Sequence, residues 1–276
     1  MLTRSEVVDL LARHGLAPSR ALGQNFLVDP NTIRRIVRLA EITPGDPVVE
    51  IGAGLGSLTL GLADAGAEVT AIEIDRHLLP ALREVVEPHG VSVVEGDALT
   101  LDWAEVLAGH DRWALVANLP YNVATPLVCD LLDAVPAITR MLVMVQREVG
   151  ERLAASAGDD AYGIPSVKVA YWARAQVVGR VPPTVFLPQP RVESALVRIE
   201  RRAVPAVDAE PGQLFALVRA AFGQRRKMLR RSLAGIVPAE AFAAAAIRAD
   251  ARPEELTIED WGRLTNAVTG PTAPTS

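Results

Sequence analysis

Between Pro47 and Gln146 short β-rich runs alternate with helical ones, and this alternation constrains the fold more than any other feature. The runs are VVEI (48–51), VTAIEI (69–74), VSVVEG (91–96), WALVANL (113–119) and MLVMVQ (141–146). LTLGLADA, RHLLPALREVVE, LDWAEVLA and VATPLVCDLLDAV lie between them. Strands joined through helices of this length run parallel, with right-handed crossovers. Their apolar stretches are continuous rather than alternating, as expected where helices cover both faces of a parallel sheet. The pattern predicts an α/β fold of Rossmann-like type.

Outside this region the signals are local. Thr3-Arg4-Ser5-Glu6 predicts a capping box that opens a helix, VVDLLARH, ending at Gly15. ALGQNFLVD reads as polar and irregular, and NTIRRIVRLAEI as a helix before the Pro44-Gly45 turn. After Arg147 two helices, REVGERLAA and IPSVKVAYWA, precede QVVGRVP and ESALVRIER, which are expected to pair as an antiparallel hairpin at a sheet edge. The Pro-rich TVFLPQPRV between them is tolerated at an edge. RRAVPAVDAEPG (201–212) reads as a linker, and the signal is helical from there to about Val268, with a second capping box at Thr257-Ile258-Glu259-Asp260. The expected domains are therefore 1–204 and a small all-helical domain, 205–270, with a disordered tail over 271–276.

Composition excludes several classes. Half of the 276 residues are hydrophobic and 22% are charged, which rules out a wholly disordered chain. No apolar run is long enough for a membrane span, and the N-terminus lacks the apolar core of a secretory signal. One cysteine, Cys129, can form neither an internal disulfide nor a metal cluster, and His14, His77, His89 and His110 show no ligand spacing. A cytoplasmic protein with no metal and no membrane partner is expected. The four tryptophans, Trp103, Trp113, Trp172 and Trp261, read as packing residues.

Gly52-Ala53-Gly54-Leu55-Gly56 follows the first parallel strand and precedes a helix. Glycines there permit a tight turn and close approach of a ligand to the backbone. Ser57 stands where a dinucleotide fingerprint has its third glycine, which shifts the reading from NAD toward S-adenosylmethionine. Glu73, 21 positions after Gly52 (73 − 52), is placed to accept hydrogen bonds from ribose hydroxyls. Asp97 closes the third strand and could accept from the amine of a cofactor adenine. All three sites fall at the carboxyl ends of successive strands, where such sheets bind ligands.

Asn118-Leu119-Pro120-Tyr121 ends the fourth strand. An adenine amine is planar and a poor nucleophile, because its lone pair is delocalised into the ring. The Asn118 side-chain oxygen and the Leu119 carbonyl could accept its two hydrogens and favour a pyramidal nitrogen. Pro120 keeps the preceding backbone extended, and Tyr121 offers a flat face for a base. Orientation and fixed acceptors, rather than a strong base, would supply the acceleration.

Together with the glycine loop, Glu73 and Asp97, Asn-Leu-Pro-Tyr-Asn resembles the adenine-amine methyltransferases of ribosomal RNA. Leu22-Gly23-Gln24-Asn25-Phe26-Leu27, Gln146-Arg147-Glu148-Val149, Phe186 to Ser194 (FLPQPRVES) and Ala221 to Lys227 (AFGQRRK) are similar to strings of the small-subunit (16S) dimethylating branch. The resemblance runs from about 22 to 233 and is loosest in the bland FAAAAI at 241–246. It implies a class I methyltransferase sheet and S-adenosyl-L-methionine as cofactor. It also implies that Asn25, Leu27, Gly52, Gly54, Gly56, Glu73, Asp97 and Asn118 line the cofactor site. Gln24 and Phe26, in an N-terminal segment spanning 1–30, would help close it over substrate. The implied reaction dimethylates two adjacent adenosines near the 3′ end of small-subunit rRNA in an immature 30S particle, carried out by a monomer.

Net charge is −5, so any RNA contact must come from a local patch. From Arg219 to Arg231 the chain carries Arg225, Arg226, Lys227, Arg230 and Arg231 with no acid between them. On a continuous helix Arg226 and Arg230, and Lys227 and Arg231, would share faces. Arg34, Arg35 and Arg38 form a second cluster. Two rival readings share the core motifs: the sister branch that methylates large-subunit (23S) RNA, and a non-catalytic RNA-binding assembly factor.

Overall fold

The computed structural model describes residues 1–19, 22–121 and 123–269; the tail expected to be disordered lies outside the described residues. The chain divides into two compact units. The first comprises Met1–Gly150 and Gln176–Arg201, and the second comprises Glu151–Ala175 and the chain from Arg202 onward.

In the first unit the alternating runs become strands β2 (Pro47–Ile51), β3 (Glu68–Glu73), β4 (Ser92–Glu95), β5 (Trp113–Asn118) and β6 (Ile138–Gln146). Helices α3 (Ser57–Asp64), α4 (Leu79–Val86), α5 (Trp103–Val106) and α6 (Ala124–Ala134) lie between them. With β7 (Ala173–Val181) and β9 (Ser194–Arg201) they build a seven-stranded sheet ordered β4-β3-β2-β5-β6-β9-β7. The pairs among β2 to β6 are parallel, and β9 pairs with β6 antiparallel. Sequential strands run outward from β2 through β3 to β4, then the chain returns to β5 on the other side. That reversal places a crevice at the carboxyl ends of β2 and β5. β9 therefore lies inside the sheet, and β7 and β4 form its two edges.

Local chemistry explains the first helices. α1 (Arg4–Arg13) opens on the expected capping box: the Thr3 N–H donates to the Glu6 carboxylate at 2.7 Å, and the Glu6 N–H to the Thr3 hydroxyl. Its buried face is Val7, Leu10 and Leu11 at helical spacing. α2 (Pro30–Leu39) begins with Asp29 accepting from the Thr32 N–H at 2.8 Å and with a proline at its start, and it buries Ile33 and Ile36. The irregular ALGQNFLVD contains one element that the sequence pattern does not reveal. Strand β1 (Phe26–Leu27) pairs antiparallel with β8 (Phe186–Leu187), Phe26 opposite Leu187 and Leu27 opposite Phe186. Two residues are too few to show any periodicity.

The second unit contains part of α7 (Arg147–Ala154), α8 (Ile164–Trp172), α9 (Pro211–Phe222), α10 (Leu229–Ser232), α11 (Ala239–Ala244) and α12 (Ile258–Thr269). It extends beyond the expected 205–270, because Tyr162, Val167 and Tyr171 share one apolar core with Leu214, Val218 and Trp261. The expected linker is also part of this core. The Arg202 and Ala206 N–H groups donate to the Trp172 and Tyr171 carbonyls, and the Tyr171 hydroxyl donates to the Ala209 carbonyl at 2.8 Å. Ala209 itself is buried.

Candidate active site

The loop after β2 is held by the neighbouring strand. Gly52 and Ala53 donate N–H bonds to the Ile72 carbonyl, and the Gly54 N–H donates to Glu73 Oε2 at 2.7 Å. Gly52, Gly54 and Gly56 all have positive φ (74°, 60° and 85°), which only glycine adopts without strain. Their surroundings separate them. A Cβ on Gly54 would lie 3.1 Å from the Phe26 ring, inside the cleft, whereas one on Gly56 would lie 2.5 Å from Val86 Cγ1. Gly54 keeps ligand space open. Gly56 caps the start of α3 and packs it against α4, and it is not among the residues that line the cleft.

The cleft at the switch point has two lobes. One encloses about 720 Å³ between the N-terminal segment, the glycine loop and the end of β5, part of it open to solvent. It is lined by Gln24, Asn25, Phe26, Leu27, Gly52, Gly54, Glu73, Asn118, Leu119, Pro120 and Tyr121. The other, about 610 Å³, is lined by Ile72, Asp97, Ala98 and Leu99. Leu22, Gly52, Ile74 and Pro120 border both, so the lobes join across the neck between Gly52 and Pro120. A Cβ on Gly52 would stand 3.6 Å from the Pro120 ring and narrow that neck.

Acids surround this space. Glu73 is buried, and its two oxygens accept from the Gly54 and Asp75 N–H groups. Burial raises its pKa, opposed by those backbone bonds and reinforced by the Asp75 charge. Asp97 accepts the Leu99 N–H at 3.0 Å through Oδ1 at the rim of the second lobe. Glu50 is an acid that the sequence reading passed over. It stands in the strand VVEI, is 2% exposed, and lines the first lobe. Its Oε2 and the Ser57 hydroxyl, also on the lining, have no hydrogen-bond partner among the described residues. Burial pushes the Glu50 carboxyl up to about 8; the Thr59 hydroxyl lowers it and the Glu73 charge raises it further. A carboxylate inside an otherwise apolar strand was the available signal, because such groups are rarely buried without a partner.

Asn118 enters the cleft from the end of β5. Its Nδ2 donates to the Asn25 carbonyl at 3.1 Å, which commits the amide nitrogen to backbone and fixes the amide plane. Gln24 bridges the Ser19 N–H and Asp75 Oδ2, bracing the N-terminal segment. The Tyr121 ring also lines the cleft, and its hydroxyl bonds Ser194 Oγ at 3.1 Å. Asn118 and Tyr121 thus stand beside a glycine-lined cleft whose two lobes also carry Glu50, Glu73 and Asp97.

Comparison with known proteins decides the family. The family model described as "Ribosomal RNA adenine dimethylase" matches residues 17–269. The chain belongs to the ribosomal RNA adenine dimethylase family. "Ribosomal RNA small subunit methyltransferase A" of Kineococcus radiotolerans is 48% identical over 96% of this chain and 90% of its own. The protein of the same name from Thermobifida fusca is 46% identical over 96% of this chain and 95% of its own. Among solved structures, the 23S rRNA methyltransferase ErmE is 29% identical with a TM-score of 0.68, covering 88% of this chain and 99% of that one. A dimethyladenosine transferase from Plasmodium falciparum superposes with a TM-score of 0.74 at 24% identity, covering 87% and 95%, and supports the fold. This dimethylase is thus an rRNA methyltransferase with the Rossmann-like sheet expected of it.

The basic residues lie in the second unit. Arg225, Arg226, Lys227, Arg230 and Arg231 are all exposed. They do not share the expected helix faces, because α9 ends at Phe222, a turn carries 223–227, and α10 is only four residues long. Arg225 also has an acid beside it: its Nε lies 3.5 Å from Glu254, and its Nη2 donates to the Asp160 carbonyl at 2.9 Å.

Proposed function

We propose that this dimethylase transfers methyl groups from S-adenosylmethionine to the exocyclic amines of two adjacent adenosines near the 3′ end of small-subunit rRNA, on an immature small subunit. The observation that carries the reading is Asn118, anchored through its amide nitrogen so that its oxygen serves the cleft. The chain's relatives at 45–48% identity carry small-subunit names, which favours that substrate over the large-subunit RNA named for ErmE.

The residues present fit the cofactor. Glu50 Oε2 and Ser57 Oγ are buried polar atoms waiting for a partner, and a cofactor ammonium offers three donors to such a pair. Glu73 is placed for ribose hydroxyls, Asp97 for an adenine amine, and Gly54 leaves room beside Phe26. When bound, the cofactor supplies an electrophilic methyl group on a sulfonium. The protein supplies orientation: the Asn118 oxygen and the Leu119 carbonyl accept the two amine hydrogens of the target base. That restores the nitrogen lone pair and directs it into the cleft. Tyr121 stacks the base. Arg226, Lys227, Arg230 and Arg231, with Arg225, contact the RNA backbone.

Parallel incubations of immature small subunits and of large subunits with labelled cofactor test the reading. Dimethyladenosine in the digest of small-subunit RNA is expected. Label found only in large-subunit RNA, or in neither, would overturn it.

A further inference from the structure

Tyr121 sits at the end of the Asn-Leu-Pro-Tyr turn, and a base-stacking ring on a turn must be held still by something. The Tyr121 hydroxyl has one described partner, the Ser194 hydroxyl at 3.1 Å. Ser194 is a rigid post. It is fully buried, begins β9, and is paired in register with Gln146 of β6 inside the sheet. Its neighbours on both sides are fixed as well: Glu193 accepts the Arg147 N–H through its carbonyl, and Ala195 pairs with Val145 and is fully buried. Among the described residues, the backbone of the turn before Tyr121 is held to the sheet by the Leu119 N–H donating to the Met144 carbonyl, and the Pro120 carbonyl accepts from the Val123 and Ala124 N–H groups at the start of α6.

A phenol has a donor and an acceptor at one end of a flat ring, so a single bond to a fixed hydroxyl limits both the swing of the ring and its rotation about Cβ. Burial raises the Tyr121 pKa and the Ser194 bond lowers it again, so both hydroxyls stay neutral through the working range. We propose that Ser194 is a positioning residue: its hydroxyl pins the Tyr121 ring as the wall against which the target base stacks. The serine touches neither substrate nor cofactor. The inference rests on the stacking role proposed for Tyr121.

The full-length protein carries three tyrosines, at 121, 162 and 171. Fluorotyrosine labelling therefore gives three fluorine resonances, and Tyr121→Phe identifies the one that belongs to the cleft. In Ser194→Ala that resonance should shift and narrow, while the other two hold their positions. Turnover on small-subunit RNA should fall roughly 3- to 10-fold, the span of one neutral hydrogen bond, with the dissociation constant for S-adenosylmethionine unchanged. Tyr121→Phe cuts the same bond from the other end without touching the sheet, so it should lose the same factor, and the double variant should lose no more than either alone. Additive losses would overturn the positioning role, and so would wild-type turnover in Tyr121→Phe, a test that holds even if Ser194→Ala fails to fold. Tyr121→Ala separates the two ideas. If it abolishes turnover while Tyr121→Phe is unaffected, stacking stands and the serine pin falls; if Tyr121→Ala keeps full turnover, the stacking role itself is wrong.

Discussion

Glu50 should make cofactor binding release a proton. In the ligand-free protein its carboxyl is buried, and the pKa is pushed from an ordinary 4.5 to about 8. At pH 7 it is therefore about nine-tenths protonated. A cofactor ammonium seated on it favours the charged carboxylate, so the proton must leave on binding. Below pH 8 each unit of acidity then costs about 1.4 kcal/mol, or about tenfold in affinity, and the dependence flattens above pH 8. The amino group of the ligand titrates as well, and Glu50→Gln removes that common contribution. Calorimetry in buffers of different ionisation enthalpy counts the protons. The wild type should release about 0.9 more than Glu50→Gln at pH 7 and about 0.1 more at pH 9. The same raised pKa has the opposite sign for folding. Between pH 4.5 and 8 the folded chain holds a proton that the unfolded chain lacks, so Glu50 lets stability decline across that window as pH rises. Thermal melts without cofactor should show a steeper decline in the wild type than in Glu50→Gln. Equal proton release in the two proteins at pH 7 would refute the reasoning.

Other perturbations probe the remaining parts. Asn118→Ala should lower turnover at least 100-fold, the scale of a lost transition-state acceptor, while equilibrium dialysis finds the cofactor still bound. Gly56→Ala forces a Cβ to within 2.5 Å of Val86 and should cost about 1–3 kcal/mol of stability, seen as a lower melting temperature, with cofactor affinity intact in the folded fraction. Neutralising Arg226, Lys227 and Arg230 together should flatten the slope of log affinity for RNA against log salt by about 2. An unchanged slope would remove that patch from the RNA interface.

The sheet was legible because its strands are continuous apolar runs set apart by helices, a pattern that survives without any tertiary information. The glycine loop and Asn118 were legible because both sit where a parallel strand ends. What escaped depended on partners distant in sequence. Gly56 looks like Gly52 and Gly54 until α4 is folded against it. Glu50 looked like a strand residue because its neighbours set the pattern and its burial is invisible locally. The stretch 201–212 has the composition of a linker, yet Tyr171 and Trp172 hold its backbone. The basic segment has helical spacing, but a turn at 223–227 breaks it.

The small β1–β8 ribbon has a consequence for synthesis. Phe26 forms one wall of the cleft beside Gly54, yet its strand partner Leu187 lies 161 positions later (187 − 26). A nascent chain emerges from its N-terminus first, so the glycine loop, Glu50 and Glu73 are all made well before that wall can be pinned. Until about two-thirds of the polypeptide has left the ribosome, this rRNA methyltransferase lacks a finished pocket of its own.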